Sequence, residues 1–392
     1  MDSPKAAKNV AEKNPRWVQL KEELGFEKKG VWDRLSPGER EEALSFAEDY
    51  KTFLNESKTE REAITEIVRL AEKHGFVSLE RIIESGKKPR PGTKVYVANK
   101  DKNAALLVIG KEPIWQGMNI IGSHVDAPRL DLKPEPLYED QGLALLKTHY
   151  YGGIKKYHWV SHPLAMHGVI IKGSGEKLTV KIGEADTDPI FVITDLLPHL
   201  AKEQLQKKIG EAISGEALNI LTGSLPFEEK EAKERVKLAI LELLHIKYGI
   251  KEEDFISAEL ELVPATKARD IGLDRSLVGA YGQDDRICAF SSIRAVLDSR
   301  NPVRTAMALF VDKEEIGSIG NTGMRARFLE NTVAEIINLI TGGYDEIYCR
   351  RALANARALS ADVGAAVDPS WEGVHDKLNA PRLGNGVVIT KY

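Results

Sequence analysis

The sequence predicts an α/β protein whose main sheet is covered by helices on both faces and is interrupted by an inserted domain. Amphipathic helical patterns open the chain, and short apolar runs of the kind buried in a covered sheet follow them. The pattern then changes to short β-like segments before the α/β alternation returns. A chain of 392 residues is also too long for one ordinary core, which favours two domains.

The bulk composition indicates a folded protein that acts on peptides or small molecules. Hydrophobic residues make up 42% and charged residues 29% of the chain, close to the average of globular proteins. The net charge of −4 is small and no segment concentrates lysines and arginines, so neither nucleic acid nor a membrane surface is an expected partner. The apolar runs are far shorter than the roughly 20 residues of a membrane span.

We expect a cytoplasmic location. Residues 1–17 are charged throughout and lack the apolar segment of about 7–15 residues that a secretory signal needs. Cys288 and Cys349 are the only cysteines, too few for a disulfide framework or a thiolate metal cluster. Such sparse cysteine usage suits a reducing compartment.

The first part of the chain is predicted to form helices and then strands. From Pro15 to about Gly75, apolar residues recur at three-to-four-residue spacing, which indicates two or three amphipathic helices. Residues 93–98 alternate like a strand, and residues 104–109 and 118–122 are mostly apolar. The last run leads into Ser123-His-Val-Asp126, and ligands bind at the carboxyl ends of strands in an open α/β sheet.

Residues 136–267 are predicted to be the inserted domain, so that residues 1–135 and 268–392 together form the main domain. The elements expected in the insert are β segments at 168–172, 177–182, 190–194 and 258–264 and a charged helix near 227–248. Those expected after it are a helix from about Ile287, a strand at 305–311, a helix at about 322–340, a strand at 358–363 and a core strand at 384–389.

Histidine and acidic side chains follow the predicted buried strands or lie near their ends. The segments are Ser123-His-Val-Asp126, Gln283-Asp-Asp285, Asp312-Lys-Glu-Glu-Ile-Gly317 and Ser360-Ala-Asp362. His124 and Asp126 stand two residues apart, so at a strand end their side chains point the same way. One can then bind a metal while the other accepts the second ring N–H and orients the imidazole.

Carboxylates grouped after apolar strands need a positive partner, because an unpaired buried carboxylate costs several kcal/mol. A divalent cation is the simplest such partner. One imidazole and several carboxylates favour zinc, or manganese or cobalt in the same geometry. Two metals about 3.5–4 Å apart, bridged by a carboxylate, would activate water for attack on a carbonyl. Of the pair Glu314-Glu315, one carboxylate would then face the metal and the other would act as general base.

Each motif alone also has an ordinary structural explanation. A His-x-Asp pair occurs often by chance, an Asp-Asp before a helix is commonly an N-cap, and Glu-Glu is usually a charged surface. His158, His162 and His167 lack the glutamate of the His-Glu-x-x-His zinc motif, so we expect a packed or interface cluster there. Residues 173–177 lack the spacing of a phosphate loop and are predicted to be a turn between strands.

Together the motifs resemble the aspartyl aminopeptidase and vacuolar aminopeptidase I family of zinc metallopeptidases. The residues that carry the resemblance are Gly122-Ser-His-Val-Asp-Ala-Pro-Arg129, Tyr281-Gly-Gln-Asp-Asp-Arg286, Asp312-Lys-Glu-Glu-Ile-Gly-Ser318 and Ser360-Ala-Asp362. The match runs from the helical start to residue 392. It implies a zinc-peptidase α/β/α sandwich with a mixed central sheet, interrupted by an inserted, mainly β dimerisation domain.

The resemblance also implies two zinc ions per subunit and their ligands. It implies that His124 and Asp362 bind one zinc, that Asp284 bridges the two, and that Glu315 binds the other. A cis peptide bond is implied before Asp285.

Further roles follow from the same resemblance. Asp126 would orient His124, and Glu314 would be the general base. His199, in Leu197-Pro-His-Leu200, would enter the active site of the neighbouring subunit. The family implies homo-oligomers in which dimers assemble into a tetrahedral dodecamer.

The chain departs from the family pattern in two places. Residues 152–162 do not carry the Trp-Phe-Asp-Arg-Asp type of sequence, so the preference for acidic N-terminal residues is not carried over. The family closes its second zinc site with a histidine near the C-terminus in a Met-His-Ser-like segment, whereas the last histidine here is His375. A domain rarely stops at a core strand such as 384–389, so a truncated chain is the expectation.

These observations lead to one preferred function and two alternatives. The preferred function is a dinuclear zinc aminopeptidase that removes N-terminal residues from peptides. The alternatives are a metal-poor shell or scaffold subunit that lacks the C-terminal histidine ligand, and a related dinuclear hydrolase of other amides.

Overall fold

The computed structural model describes residues 15–26 and 29–391. The expectation that the N-terminus is not a secretory signal rests mainly on residues 1–14, which lie outside the described residues. The helices of the described part are α1 (Arg16–Leu24), α2 (Pro37–Glu56), α3 (Glu60–Lys73), α4 (Leu79–Ser85), α5 (Ile209–Ala212), α6 (Arg235–Tyr248), α7 (Gln283–Leu297), α8 (Phe328–Thr341) and α9 (Glu346–Ala354). Its strands are β1 (Val77–Ser78), β2 (Lys94–Asn99), β3 (Asn103–Val108), β4 (Met118–His124), β5 (Arg129–Asp140), β6 (Leu143–Tyr151), β7 (Leu164–Ile171), β8 (Lys177–Ile182), β9 (Asn219–Gly223), β10 (Glu259–Pro264), β11 (Arg269–Ile271), β12 (Leu277–Gly279), β13 (Thr305–Val311) and β14 (Arg357–Ser360). None of these helices is both long and apolar enough to cross a membrane.

The described part of the chain divides into two compact units, one of residues 46–363 and the other of the described residues before 46 and after 363. Within the smaller unit, the main-chain N–H of Val31 donates to the carbonyl of Gly384 over 2.6 Å. The core strand predicted at 384–389 is wrong, because this segment pairs with no strand in the described part of the chain. Val387 and Ile389 are 97% and 86% exposed, so their apolar side chains have no layer to pack against.

The first sheet of the larger unit is mixed, with the strand order β1-β2-β3-β13-β4-β14. Strand β4 runs parallel to both β13 and β14, whereas β3 pairs antiparallel with β13. The carboxyl ends of β4, β13 and β14 therefore meet at the same edge. This edge is where the acidic and histidine-bearing segments begin.

Helices cover both faces of this sheet, as predicted. Helices α3 and α7 pack one face, where Ile64 and Phe290 share a core with Leu106 of β3. Helices α8 and α9 cover the other face, where Ile336 shares a core with Leu107. Leu106 and Leu107 are consecutive residues, so the alternation of a strand sends each to a different helical layer. The α/β/α sandwich with a mixed sheet is confirmed.

The second sheet is antiparallel throughout and has the order β8-β7-β10-β5-β6-β9. All of its strands lie between Arg129 and Pro264. Strand β5 crosses the predicted boundary at residue 136, and its register with β6 shifts between Leu132 and Leu137. Val236 of α6 belongs to the core of this sheet. The hairpin of β7 and β8 confirms the turn expected at 173–177.

Some predicted elements have the observed bounds and others do not. The strands predicted at 177–182 and 305–311 match β8 and β13. The helix expected near 227–248 begins only at Arg235 as α6, because the charged residues before it form turns. The strand expected at 190–194 is reduced to isolated bridges with three different partners, so it forms no continuous ladder.

Candidate metal centre

Three parallel strands deliver most of the polar residues of the candidate site. His124 is the last residue of β4, a short 3₁₀ turn at Glu314–Ile316 follows β13, and Asp362 follows β14. Lys313, before the turn, has a φ of 67°, a left-handed conformation that reverses the chain sharply enough to bring the two glutamates back to the sheet edge.

His124 lies at the centre of this group. Its side chain is 3% exposed, and its Nε2 atom lies 2.9 Å from Asp284 Oδ1 and 3.9 Å from Asp362 Oδ1. Its Nδ1 atom lies 3.0 Å from the main-chain carbonyl oxygen of Asp126 and 3.3 Å from the Oδ1 atom of that residue. The Nδ1–H therefore donates to Asp126, which leaves Nε2 to face the carboxylates.

The carboxylate of Asp126 joins three parts of the site. It is fully buried, and its two oxygens accept the main-chain N–H groups of Glu314 over 3.1 Å and Glu315 over 3.2 Å. Its Oδ2 atom also accepts the hydroxyl of Tyr151 over 2.7 Å. Asp126 consequently fixes the turn that carries both glutamates as well as the ring of His124.

Asp284 and Asp285 stand at the start of α7 and are joined by a cis peptide bond, as the resemblance implied. Asp284 is more than half exposed and faces His124. Asp285 is buried, and its Oδ2 atom accepts the main-chain N–H of His124 over 3.3 Å. Its other oxygen is buried without a hydrogen-bond partner. A bound cation would satisfy this carboxylate oxygen, which has no hydrogen-bond donor.

Two groups of three side chains are close enough to hold a metal ion. One comprises His124, Asp285 and Asp362, and the other comprises His124, Asp284 and Glu315; within each, the ligand atoms lie within 4.8 Å of one another. The two groups bring together the four ligands that the resemblance implied. Asp285, expected only as a neighbour of the ligand Asp284, is an additional member.

Burial and neighbouring charges shift the pKa values of three groups in the site. Burial raises the pKa of Glu315 to about 7, and the carboxylate of Asp284 adds to this effect. Burial also raises the pKa of Asp285 to about 7. Burial lowers the pKa of His124, but hydrogen bonds to Asp126 and Asp284 outweigh it and raise the value to about 11. One imidazole among these carboxylates is the donor set that zinc accepts.

Sequence reasoning missed the contribution of the second sheet. Tyr151 ends β6 with its hydroxyl on Asp126, and a Cβ atom added at Gly152 would lie 3.2 Å from Glu315 Cβ. No sequence signal pointed to either residue, because an aromatic residue at the end of an alternating strand resembles a core residue. His199 is exposed in a turn at residues 198–200. It belongs to neither group of metal-ligating side chains in the described part of the chain.

The histidines outside the site have other surroundings. His167 is fully buried and lies 2.8 Å from Glu62 Oε1 and 3.0 Å from Glu184 Oε1. His158 contacts the ring of Tyr157. The packed or interface cluster expected for His158, His162 and His167 stays a prediction, because His158 is exposed, His162 is half-buried and His167 is buried between two glutamates.

An imidazole ringed by carboxylates at the carboxyl edge of an α/β sheet has the features of a metal-binding site of an enzyme. The model of one family, described as aminopeptidase I zinc metalloprotease (M18), matches residues 53–392. The chain therefore belongs to the M18 family of zinc metalloproteases, and its activity class is that of a metalloaminopeptidase.

Similar proteins support this membership. A probable M18 family aminopeptidase 1 of Clostridium acetobutylicum is 51% identical over 366 residues, which cover 93% of this chain and 78% of the relative. The crystal structure of an M18 family aminopeptidase from Thermotoga maritima has a TM-score of 0.86 at 45% identity, covering 92% of this chain and 78% of that one. The mApe1 dodecamer of S. cerevisiae shares the fold, with a TM-score of 0.67 at 23% identity over 86% of this chain and 75% of that one.

Proposed function

We propose that this chain is a dinuclear zinc aminopeptidase that removes N-terminal residues from peptides, with Glu314 as its general base. One observation carries the proposal: side chains from three strand ends and the start of α7 converge on His124 as two groups of possible ligands. A single surface cluster of acidic residues would not place a buried imidazole in both groups.

The four ligands that we propose all belong to these two groups, although the groups do not assign them to separate ions. His124 and Asp362 would hold one zinc, Glu315 would hold the other, and Asp284 would be shared between them. The proposal is supported by the 2.9 Å distance from His124 to Asp284 and by the membership of Glu315 in the group of Asp284. Asp285 accepts the main-chain N–H of His124 and contributes a further negative charge. Zinc is the metal of the family; manganese or cobalt suits the same ligands.

Residues of the protein would transfer the proton and hold the reacting groups in place. Bound zinc supplies a Lewis acid that polarises the substrate carbonyl and lowers the pKa of water. The side chain of Glu314 is about half exposed, and its Oε2 atom lies 4.0 Å from His124 Nε2. From there Glu314 takes a proton from the attacking water and later gives it to the leaving amine as the C–N bond breaks. Asp126 holds the main-chain N–H groups of both glutamates in place throughout.

We propose that the free amine of the substrate is recognised by the carboxylates around Glu315. A protonated or neutral amine donates N–H groups, and this part of the site offers carboxylate acceptors in excess. An N-acylated substrate lacks the free amine. This difference separates an aminopeptidase from a dinuclear hydrolase of other amides.

The inserted segment 136–267 is proposed to mediate dimerisation, with His199 reaching the neighbouring subunit and dimers forming a tetrahedral dodecamer. The exposure of His199 is compatible with this role, and the S. cerevisiae mApe1 structure is itself a dodecamer. Light scattering of the purified protein measures the mass of the assembly in solution. A mass equal to that of one chain would contradict the proposal.

We also propose a cytoplasmic location, which cell fractionation tests. Both cysteines are free, as a reducing compartment favours.

Zinc titration of the demetallated protein tests the function directly. We expect two equivalents of zinc per chain and hydrolysis of an aminoacyl anilide, but no hydrolysis of the N-acetylated form. One equivalent or none, together with an inactive protein, would instead support the scaffold alternative. Hydrolysis of the acetylated form would support the other-amide alternative.

The adjacent glutamates provide a matched pair of variants. Glu314→Gln should keep both zinc equivalents while kcat falls about 10²–10⁴-fold, because the general base is lost. Glu315→Gln should lose zinc. If both variants behave alike, the division of roles between these residues is wrong.

A further inference from the structure

Tyr151 connects the second sheet to the candidate metal centre. It is the last residue of β6 and is 8% exposed. Its hydroxyl donates to Asp126 Oδ2 over 2.7 Å, the shortest hydrogen bond that this carboxylate receives from the surrounding donors, since the N–H groups of Glu314 and Glu315 lie 3.1 and 3.2 Å away. The hydroxyl therefore forms one of the well-formed hydrogen bonds that fix the orientation of the carboxylate.

The ring of Tyr151 is itself held by Arg129. The two residues face each other across β5 and β6, and the guanidinium carbon of Arg129 lies 3.9 Å from the ring centroid. A cation over an aromatic face is attracted by the electrons of the ring. The guanidinium in turn pairs with Asp131 over 2.8 Å and with Glu261 over 3.2 Å, so it has little freedom to move.

A third carboxylate, that of Glu60, holds the guanidinium of Arg129 from the side of the first sheet. Glu60, in the first turn of α3, is fully buried and lies 3.3 Å from Arg129 Nη1 and 2.9 Å from the ammonium of Lys102. Arg129 is thus anchored by two carboxylates of the second sheet and by one from helix α3, which packs on the first sheet. The network fixes the ring in position, and the ring fixes the hydroxyl.

We propose that Tyr151 is a positioning residue of the metal centre, acting through Asp126. Its hydroxyl holds the carboxylate in the orientation that orients His124 and the main chain of Glu314 and Glu315. This inference rests on the proposed function, because it assumes that zinc binds there. Groups that hydrogen-bond to a metal ligand, as Asp126 does to His124, commonly contribute 10–100-fold to metal affinity, and Tyr151 acts through such a group.

The variant Tyr151→Phe removes the hydroxyl and keeps the ring that stacks on Arg129. We expect zinc affinity, measured by competition with a chromophoric chelator, to fall about 10-fold. At saturating zinc we expect kcat to fall while KM changes little, because the substrate contacts remain. The matched control is Tyr150→Phe, since Tyr150 precedes it on the same strand and points to the opposite face. The control should match the wild type in both measurements.

A double-mutant cycle with Asp126→Asn shows whether Tyr151 acts through Asp126. If it does, Tyr151→Phe changes zinc affinity far less in the Asp126→Asn background than in the wild type. Additive effects, or a Tyr151→Phe protein with wild-type zinc affinity and kcat, would overturn the inference. A wild-type protein that binds no zinc would instead refute the proposed function, so the two failures are distinguishable.

Discussion

The imidazole of His167 on β7 lies 2.8 Å from the carboxylate of Glu62 on α3, and this contact joins the second sheet to a helix of the first. The other ring nitrogen lies 3.0 Å from Glu184, so both nitrogens face carboxylates. Glu62 also completes the capping box of α3 with Thr59. The lysines around this cluster are Lys58, 2.6 Å from Glu184, and Lys181, 3.8 Å from Glu62.

Replacing His167 with Gln should destabilise the protein by about 2–3 kcal/mol. The substitution leaves the carboxylates without their imidazolium partner, and the loss is below that of a fully buried pair because both carboxylates reach solvent. Urea unfolding near neutral pH measures the change. His162→Gln is the control, since this histidine is only half-buried, and it should change the free energy of unfolding by less than about 0.5 kcal/mol.

The stabilisation by His167 should depend on pH in a defined direction. Burial lowers the pKa of His167, but hydrogen bonds to Glu184 and Glu62 outweigh it, and the folded-state pKa is raised. The contribution is therefore complete below the unfolded-state value of about 6.5 and is lost as pH rises through the raised folded-state pKa. The difference in melting temperature between wild type and His167→Gln should shrink at alkaline pH. A difference that grows with pH would contradict this sign.

Gly152→Ala should disturb the metal centre from the second sheet. Gly152 has a φ of 73°, where a side chain costs about 1 kcal/mol, and the new Cβ would lie 3.2 Å from Glu315 Cβ. We expect the free energy of unfolding to fall by about 1–2 kcal/mol and the zinc content to decrease. Gly153→Ala is the matched control, because nothing lies within 4 Å of a Cβ atom there. Equal zinc content in the two variants would show that Glu315 tolerates the contact.

Removing the metal should lower the melting temperature, because Asp285 and Glu315 then lose the cation that balances their crowded charge. Zinc at one hundred times its dissociation constant stabilises a one-site protein by about 2.7 kcal/mol. Differential scanning fluorimetry with a chelator, followed by added zinc, measures the loss and its recovery. Magnesium, which binds imidazole less well than zinc and keeps most of its water ligands, serves as the control ion. An unchanged melting temperature would argue against the proposed ligands.

The sequence predicted the parts of the fold that local patterns determine. The strand at Thr305–Val311 was predicted with its observed bounds because an unbroken apolar run is buried on both faces. The core strand expected at 384–389 rested on the apolar run Val387-Val-Ile389, yet a strand also requires a hydrogen-bonding neighbour, which residue types alone do not reveal. The strand predicted at 190–194 was wrong for the same reason, since its isolated bridges go to three separate partners.

The candidate site was predictable where its residues follow buried strands. His124 and the Glu314-Glu315 pair were found because strand ends place side chains at a common edge. Arg129 ended one of the motifs but was given no role, and Tyr151 was not singled out, because their contacts arise from the pairing of β5 with β6. The membership of Asp285 in one group of possible ligands likewise depends on how α7 begins, which spacing does not determine.

The three parallel strands that carry the site lie side by side, yet their sequence positions run from Met118 to Ser360. During synthesis, β4 is made first, and its two neighbouring strands, β13 and then β14, are made later. A nascent chain therefore lacks Asp362 until nearly all of the sheet has left the ribosome. The side chains of the candidate metal centre therefore cannot all come together before β14, the last strand of this sheet in the chain, has been synthesised.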